Sequence, residues 1–403
     1  MITESGKLIM NTSLGYHTME LSLMITPDEA SQLIQSFRES KDVYFTDPNG
    51  KFIYGNHCSS RYYTIRYRQR YKGLSWSLRY NRKSPDYMRQ PLPDGLHENK
   101  CCTVKAKINP KILLGMDDYI AAADSSYLQA LISVFNQEVK RISPILQDFG
   151  AYSLGRIDYC INFDLADLMI NCYPEEYMVL IQQADIPNHF SEYKEYRGTT
   201  HRKKPGINSF YLENNSVRIN CYCKHYQLLQ QFSSVPHIED SLHVIRFEVQ
   251  CLYLKTWQMQ KKIRNCENFE KIMSQMLSDI LCEKIITEYY CKTIGKGDYY
   301  SLEGARKKIK SMKFKRNKEE RLLNALKQVS LHRGIFKAKF HLQDKELDDL
   351  KRSIKELEEI GINPVTIPRG RGIQFLPNLL NAYLKERERT EKAFEEYYGN
   401  RCV

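Results

Sequence analysis

Tyr222 and Lys224 close a short segment, SVRINCYCKHYQL (216–228), in which polar and apolar residues alternate, and two other segments repeat that pattern. LGRIDYCINF (154–163) sets Arg156 and Asp158 two residues apart, and VIRFEVQC (244–251) does the same for Arg246, Glu248 and Gln250. A period of two is that of a strand, whose alternate side chains share a face. Placed in one sheet, the three segments have an apolar back (Ile157, Ile161, Ile219, Phe247, Val249). Their front carries Asp158, Glu248, Arg156, Arg218, Arg246, Tyr222 and Lys224. Such a front suits attack on a phosphate ester. A tyrosine phenol can serve as the nucleophile and keep the bond energy in a phosphotyrosine. Its ordinary pKa of about 10 is too high for it to ionise freely at neutral pH. Lys224 would lower it, and a divalent cation on Asp158 and Glu248 would polarise a non-bridging oxygen. Arg156, Arg218 and Arg246 would add fixed positive charge. The same Arg-x-Asp and Arg-x-Glu spacing also fits a plain salt-bridge ladder, and most of the 28 tyrosines must be structural.

The elements that would position these residues can be read from the flanking periodicity. INSFYLEN (207–214) and SVRINCYCK (216–224) meet at Asn214-Asn215, both tolerant of positive φ, which predicts a tight hairpin. Tyr222 then stands at its far end, where HYQLLQQF turns helical. HTMELSLMI (17–25), RYYTIRYRQRY (61–71), LSWSLRYNR (74–82) and CTVKAKINP (102–110) also alternate. Helices are predicted over 26–40 (Thr26 as cap, Pro27 in the first turn), 125–149 with a break at Pro144, 174–184, 253–264 and 267–290. The fold class read from this order is α+β: a central, mostly antiparallel sheet packed by helices, followed by a smaller helical domain. The boundary is set near 295, giving a catalytic domain over 1–295 and a basic helical domain of helix-turn-helix type over 296–403.

At 403 residues and 42% hydrophobic composition the chain can bury substantial cores. Its net charge of +12 favours a polyanionic partner. The 12 cysteines are scattered, without paired zinc-ribbon spacing, so a reducing cytoplasm is the expected compartment. No apolar run approaches the roughly 18 residues of a membrane span, and no Gly-rich loop ending in Lys-Ser/Thr marks an ATPase.

Cations intended for DNA are distributed. Arg66 and Arg68 alternate in the 61–71 strand, with Trp76 and Tyr80 following as candidate stacking partners for bases. Arg202, Lys203 and Lys204 lie in the loop KEYRGTTHRKKPG (194–206), where they would clamp phosphates. Residues 305–341 hold 13 Lys and Arg against two acids, a surface suited to holding or reading duplex DNA.

The three central segments, in this order and spacing, resemble the replication initiators of filamentous phages, the gene II protein family with its plasmid and prophage relatives. RIDYCINF is similar to that family's Arg-Ile-Asp strand, and CYCKHYQLLQQ to its Tyr-x-Lys-His stretch. VIRFEVQCLYLKTW is similar to its Val-Arg-Phe-Glu strand. Weaker similarity reaches INPKILLG (108–115) and LEEIGINP (357–364). The resemblance implies a site-specific nickase and strand transferase that starts rolling-circle DNA replication. It implies Tyr222 as the nucleophile that becomes linked to a 5′-phosphate, with Lys224 and His225 beside it. It implies Mg²⁺ or Mn²⁺ as cofactor, single- and double-stranded origin DNA as partner, and a freed 3′-hydroxyl for a host polymerase, with a host helicase alongside. In one respect the chain departs from many such enzymes: none of its ten histidines forms a pair one residue apart. Carboxylates would then dominate the metal site, or His201, His225 or His243 would complete it. Tyr226, a helical turn after Tyr222, is the candidate for any second nucleophile. Two other readings stay open: a relaxase-type nickase of a mobile element, and a non-catalytic origin- or operator-binding protein.

Overall fold

The computed structural model describes residues 12–39, 43–46, 64–69, 73–80, 102–116, 118–192, 208–231, 237–263 and 269–399. Its frame is a ten-stranded sheet, antiparallel at every described pairing. The strands are β1 (Ser13–Ile25), β2 (Val43–Thr46), β3 (Thr64–Gln69), β4 (Leu74–Tyr80), β5 (Cys102–Ile108), β6 (Ser153–Asp164), β7 (Ser191–Glu192), β8 (Ser209–Glu213), β9 (Val217–Cys223) and β10 (Val244–Cys251). They stand in the order β2-β3-β4-β5-β1-β6-β10-β9-β8-β7. The three polar-faced segments are therefore adjacent, as β6, β10 and β9. The α+β class read from the sequence holds.

The apolar back of the sheet meets helices. The helix Asp279–Thr293 packs on β1, β6 and β10, with the Tyr290 ring 5.1 Å from Phe247 and 5.8 Å from Phe163. Tyr159, on the same face, donates from its hydroxyl to the Met276 carbonyl at 2.6 Å. This helix and Phe269–Met276 correspond to one continuous helix in the sequence reading. They separate because Ser278 caps the second, its hydroxyl accepting from Leu281 N at 3.3 Å. Thr26 caps its helix as expected, and Glu29 completes a capping box with it, each side chain accepting the other's backbone N–H. The helix Leu128–Ile142 stops before Pro144, with Ser143 extended.

Trp76 corrects an expectation. Rather than offering a face to bases, it is 2% exposed, its ring 6.4 Å from Phe37 and 6.1 Å from Phe135. On β4 the residue parity that would have displayed it outward is the parity of the core.

From residue 299 the chain is mainly helical, with helices Leu302–Ser311, Arg316–Leu331, Ile335–His341, Asp344–Glu359 and Leu379–Gly399. A two-stranded ribbon, β11 (Tyr299–Tyr300) with β12 (Phe375–Leu376), lies among them. Arg321 ties two of these helices together, donating to Ser353 Oγ at 2.8 Å and to both Glu356 oxygens at 2.9 Å. The helical part is fastened to the sheet part. Tyr177 Oη donates to the Pro377 carbonyl at 2.9 Å, Ile335 N to the Gln183 carbonyl at 2.9 Å, and Lys339 pairs with Asp185 at 2.5 Å.

No helix among the described residues is long and apolar enough to cross a membrane.

Candidate active site

The hairpin that presents Tyr222 is built by Asn214. Its side-chain oxygen accepts from Ser216 N and Val217 N, both at 2.8 Å, and its own N–H donates to the Val217 carbonyl at 2.9 Å. β9 then pairs with β10 so that Tyr222 faces Arg246, Asn220 faces Glu248 and Arg218 faces Gln250. On the other side of β10, Glu248 faces Cys160 and Gln250 faces Asp158. Glu248 and Asp158 are thus diagonal neighbours on one face, a spacing that lets long side chains meet.

The face is not open. Asp158, Asn162, Arg246 and Glu248 are all buried. A small cluster of Ile120, Leu228 and Val244 covers one end of it. What remains is a cavity of about 360 Å³ whose wall includes Arg156, Asp158, Arg218, Tyr222 and Glu248. Five residues singled out by pattern in three segments therefore converge.

Tyr222 donates from its hydroxyl to Glu248 Oε2 at 3.2 Å. Glu248 Oε1 accepts from Asn220 at 3.2 Å and from Gln250 at 2.5 Å. Burial raises the Tyr222 phenol well above its ordinary pKa and the Glu248 charge adds to the rise, while Arg246 pulls it back. Asp158 is held by Arg156 through both oxygens, at 2.6 Å each. Burial still pushes its carboxyl up to about 6, with Glu248 acting in the same direction and Arg156 against it.

Arg246 and Lys224 sit behind this wall. The Arg246 guanidinium donates to Asn162 Oδ1 at 2.7 Å and to the Ile120 carbonyl, which also receives the Asn162 amide at 2.7 Å. Lys224 begins the helix Lys224–Gln231 and is 1% exposed, with its ammonium nitrogen bonded to Gln227 Oε1 at 2.8 Å. Burial first, then Arg246, drives its pKa well below that of an ordinary lysine. His225 turns elsewhere: its Nδ1 lies 3.1 Å from Ser241 Oγ and 3.3 Å from the Ile238 carbonyl, and it is not on the cavity wall. His243 is likewise outside that wall.

Arg66 and Arg68 lie in β3 opposite Ser77 and Ser75 of β4; their side chains, and that of Tyr80, fall outside the described residues. So do Arg202, Lys203, Lys204 and His201.

The cavity also holds residues that the pattern did not select. His17 and Thr18 both line it, because β1 has a register shift between Tyr16 and Thr18 against β6. A bulge places consecutive side chains on one side of a strand. His17 Nδ1 lies 2.9 Å from Thr18 Oγ1. Burial and the cations Arg246, Lys224, Lys107 and Arg156 hold its imidazole pKa well below the usual value. The doubled polar pair His17-Thr18, just before a regular alternation, was the available signal. Tyr226, on the helix after β9, also reaches the cavity and is 40% exposed.

A divalent cation was expected here. Among the described residues no group of three His, Cys, Asp or Glu side chains is placed to hold one. The donors on offer are the Asp158 and Glu248 carboxylates, with the neutral His17 ring on the same wall. That set fits Mg²⁺, which is commonly held by one or two carboxylates, with water and substrate phosphate completing its shell.

No family model matches the chain, and no curated protein matches it. Among solved structures, the chain is similar to a rolling circle replication initiator protein from Geobacillus stearothermophilus. The two are 9% identical over 70% of this chain and 85% of that one, with a TM-score of 0.28. At that score the likeness carries no argument about the site, whose chemistry rests on its own geometry.

Proposed function

We propose that the chain is a DNA strand nickase and transferase of the kind that initiates rolling-circle replication, with Tyr222 as its nucleophile. The observation that carries this reading is the Tyr222 hydroxyl bonded to Glu248 at 3.2 Å inside a cavity walled by Arg156 and Arg218.

In the proposed step the phenol oxygen attacks the scissile phosphorus. Glu248 accepts the phenol proton, for which it is already the hydrogen-bond acceptor. A bond forms between Tyr222 and the 5′-phosphate while the bond to the 3′-oxygen breaks, and that oxygen leaves as a 3′-hydroxyl after taking a proton from water, to which Glu248 later returns its own. Arg218 and Arg156 meet the charge on the non-bridging oxygens. Arg246 keeps its fixed charge beside the phenol and so opposes the effect of burial. A Mg²⁺ or Mn²⁺ ion, where bound by Asp158 and by the Glu248 oxygen that does not take the phenol proton, would supply Lewis-acid stabilisation of the phosphate. The reverse reaction, attack of another 3′-hydroxyl on the phosphotyrosine, rejoins a strand without ATP.

The test uses supercoiled DNA of the encoding element with Mg²⁺ or Mn²⁺. Open circles and DNA retained on the protein after SDS are expected for the wild type, and neither for Tyr222→Phe. One observation favours the binding-only alternative: both Asp158 oxygens are already taken by Arg156, as in a structural ion pair. Binding without nicking by the wild type would establish that reading and overturn ours.

A further inference from the structure

The Tyr222 cavity does not end at β9. Ser209 and Tyr211 of β8 line it and also line a second cavity of about 680 Å³. The far wall of that second cavity comes from the C-terminal helical part and carries Arg333, Lys337 and Arg369. Pro368 and Arg369 in turn line a third cavity of about 370 Å³, where Arg306 and Lys327 stand. Shared residues thus join three concavities into one track from the nucleophile toward the helices.

The track is cationic and available. Arg333, Lys337 and Arg369 are exposed, and none of the five cations makes an ion pair with a described acid. The acids on these walls are Glu192 and Glu303. The wall is held in place by backbone: Gly334, at φ +141, lets the start of the helix Ile335–His341 approach Gln183, whose carbonyl accepts from Ile335 N at 2.9 Å. The segment Arg369-Gly-Arg-Gly turns through positive φ at Gly370 and Gly372, with open space around both.

We propose that this track binds a single strand of DNA flanking the phosphate at Tyr222, its phosphates met by Arg333, Lys337 and Arg369 and then by Arg306 and Lys327. The inference rests on the Tyr222 cavity being the site of DNA attack. A row of cations with no ion pair to a described acid, set along a groove, is the electrostatic form of a single-strand channel. Tyr211, at the junction, supplies the aromatic residue on which a base can stack.

The full chain carrying Tyr222→Phe, which cannot cleave, is titrated with fluorescein-labelled single strands of about 30 and about six nucleotides over a range of NaCl concentrations, the longer spanning the track and the shorter only one site. Arg333→Gln/Lys337→Gln/Arg369→Gln is expected to weaken binding of the long strand about tenfold or more and to lower its salt slope by about 2, since each single-strand phosphate contact contributes about 0.7. The short strand should bind as before. The charge-keeping variant Arg333→Lys/Lys337→Arg/Arg369→Lys should restore the slope. An unchanged slope, an equal loss for both lengths, or tighter binding of duplex than of single strand would overturn the track. Covalent capture of the short strand by the protein with Tyr222 intact is read separately. Capture with an unchanged slope removes the track and keeps the nickase; no capture with a reduced slope removes the nickase and keeps the track.

Discussion

The Tyr222 hydroxyl reaches Glu248 diagonally: Tyr222 faces Arg246 across the β9–β10 ladder, yet its hydrogen bond goes to the carboxylate two residues further along, at 3.2 Å. The phenol thus lies between a cation that favours its ionised form and an anion able to take its proton. Glu248→Gln keeps the size of the side chain and one oxygen for the Asn220 and Gln250 amides, but its amide nitrogen cannot accept from the Tyr222 hydroxyl, so the base is lost. It should slow formation of the SDS-stable adduct by about 10²–10³-fold, within the range of a lost general base. Tyr222→Phe should abolish the adduct. Single-turnover adduct formation on an oligonucleotide reads both, and equal rates for Glu248→Gln and wild type would remove Glu248 from the reaction.

Arg246 is the next residue to test, because its guanidinium holds a closed triangle with Asn162 and the Ile120 carbonyl. Arg246→Met leaves Asn162 Oδ1 buried and unpaired, a loss of roughly 1–3 kcal/mol. It also removes the charge that lowers the Tyr222 pKa. The variant should unfold at lower urea concentration and form adduct more slowly at neutral pH, with the rate deficit shrinking as pH rises. A deficit that does not change with pH would mean that Arg246 acts through structure alone.

Lys224 links the same site to stability. Its folded pKa is lowered by burial and by Arg246, whereas the unfolded side chain titrates near 10.4. Between those two values the unfolded state binds more protons than the folded one, so stability must rise with pH across that window. Lys224→Met has no such proton to lose. The urea midpoint of the wild type, relative to that of Lys224→Met, should climb from pH 7 to pH 9.5. A constant difference would place Lys224 in the charged state when folded.

The parts of this architecture that were legible in the sequence are those with a local cause. Strand alternation located β6, β9 and β10, and Asn214 located the hairpin that delivers Tyr222, because period and turn chemistry are properties of neighbouring residues. Adjacency of the three strands needed only that their polar faces agree. What was illegible depends on long-range register. His17 enters the cavity through a bulge opposite β6; the polar pair His17-Thr18 is its local trace, but only the pairing with β6 fixes it. Trp76 was read as a surface aromatic, yet Phe37 and Phe135, from distant helices, enclose it. His225 was placed beside Tyr222 by the resemblance, but the first turn of a helix rotates neighbours apart, and the turn at 238–241 receives it. The cationic track draws on Ser209, Arg333 and Arg369, whose separation in sequence conceals their meeting in space.

That meeting depends on one glycine. A Cβ at Gly297 would stand 2.2 Å from the Ile362 carbonyl carbon and 2.3 Å from Asn363 N, backbone atoms that cannot swing aside. Here Asn363 N also donates to the Asp298 carbonyl at 2.8 Å, and Asp298 N donates to the Gly361 carbonyl at 3.2 Å. Gly297→Ala must therefore push the 361–363 segment off the chain that leaves the sheet part, at a stability cost of about 3 kcal/mol, the upper range for overpacking. Gly150→Ala, with open space around its Cβ, is the control and should change stability by less than about 1 kcal/mol. Because Arg369 and Ile362 belong to the same stretch after the helix Asp344–Glu359, Gly297→Ala should also disturb the track ahead of the cavity. Under mildly destabilising conditions it should lose long-strand affinity while still capturing a short strand at Tyr222. Parallel loss of both would mean that the sheet and the C-terminal helices unfold as one unit.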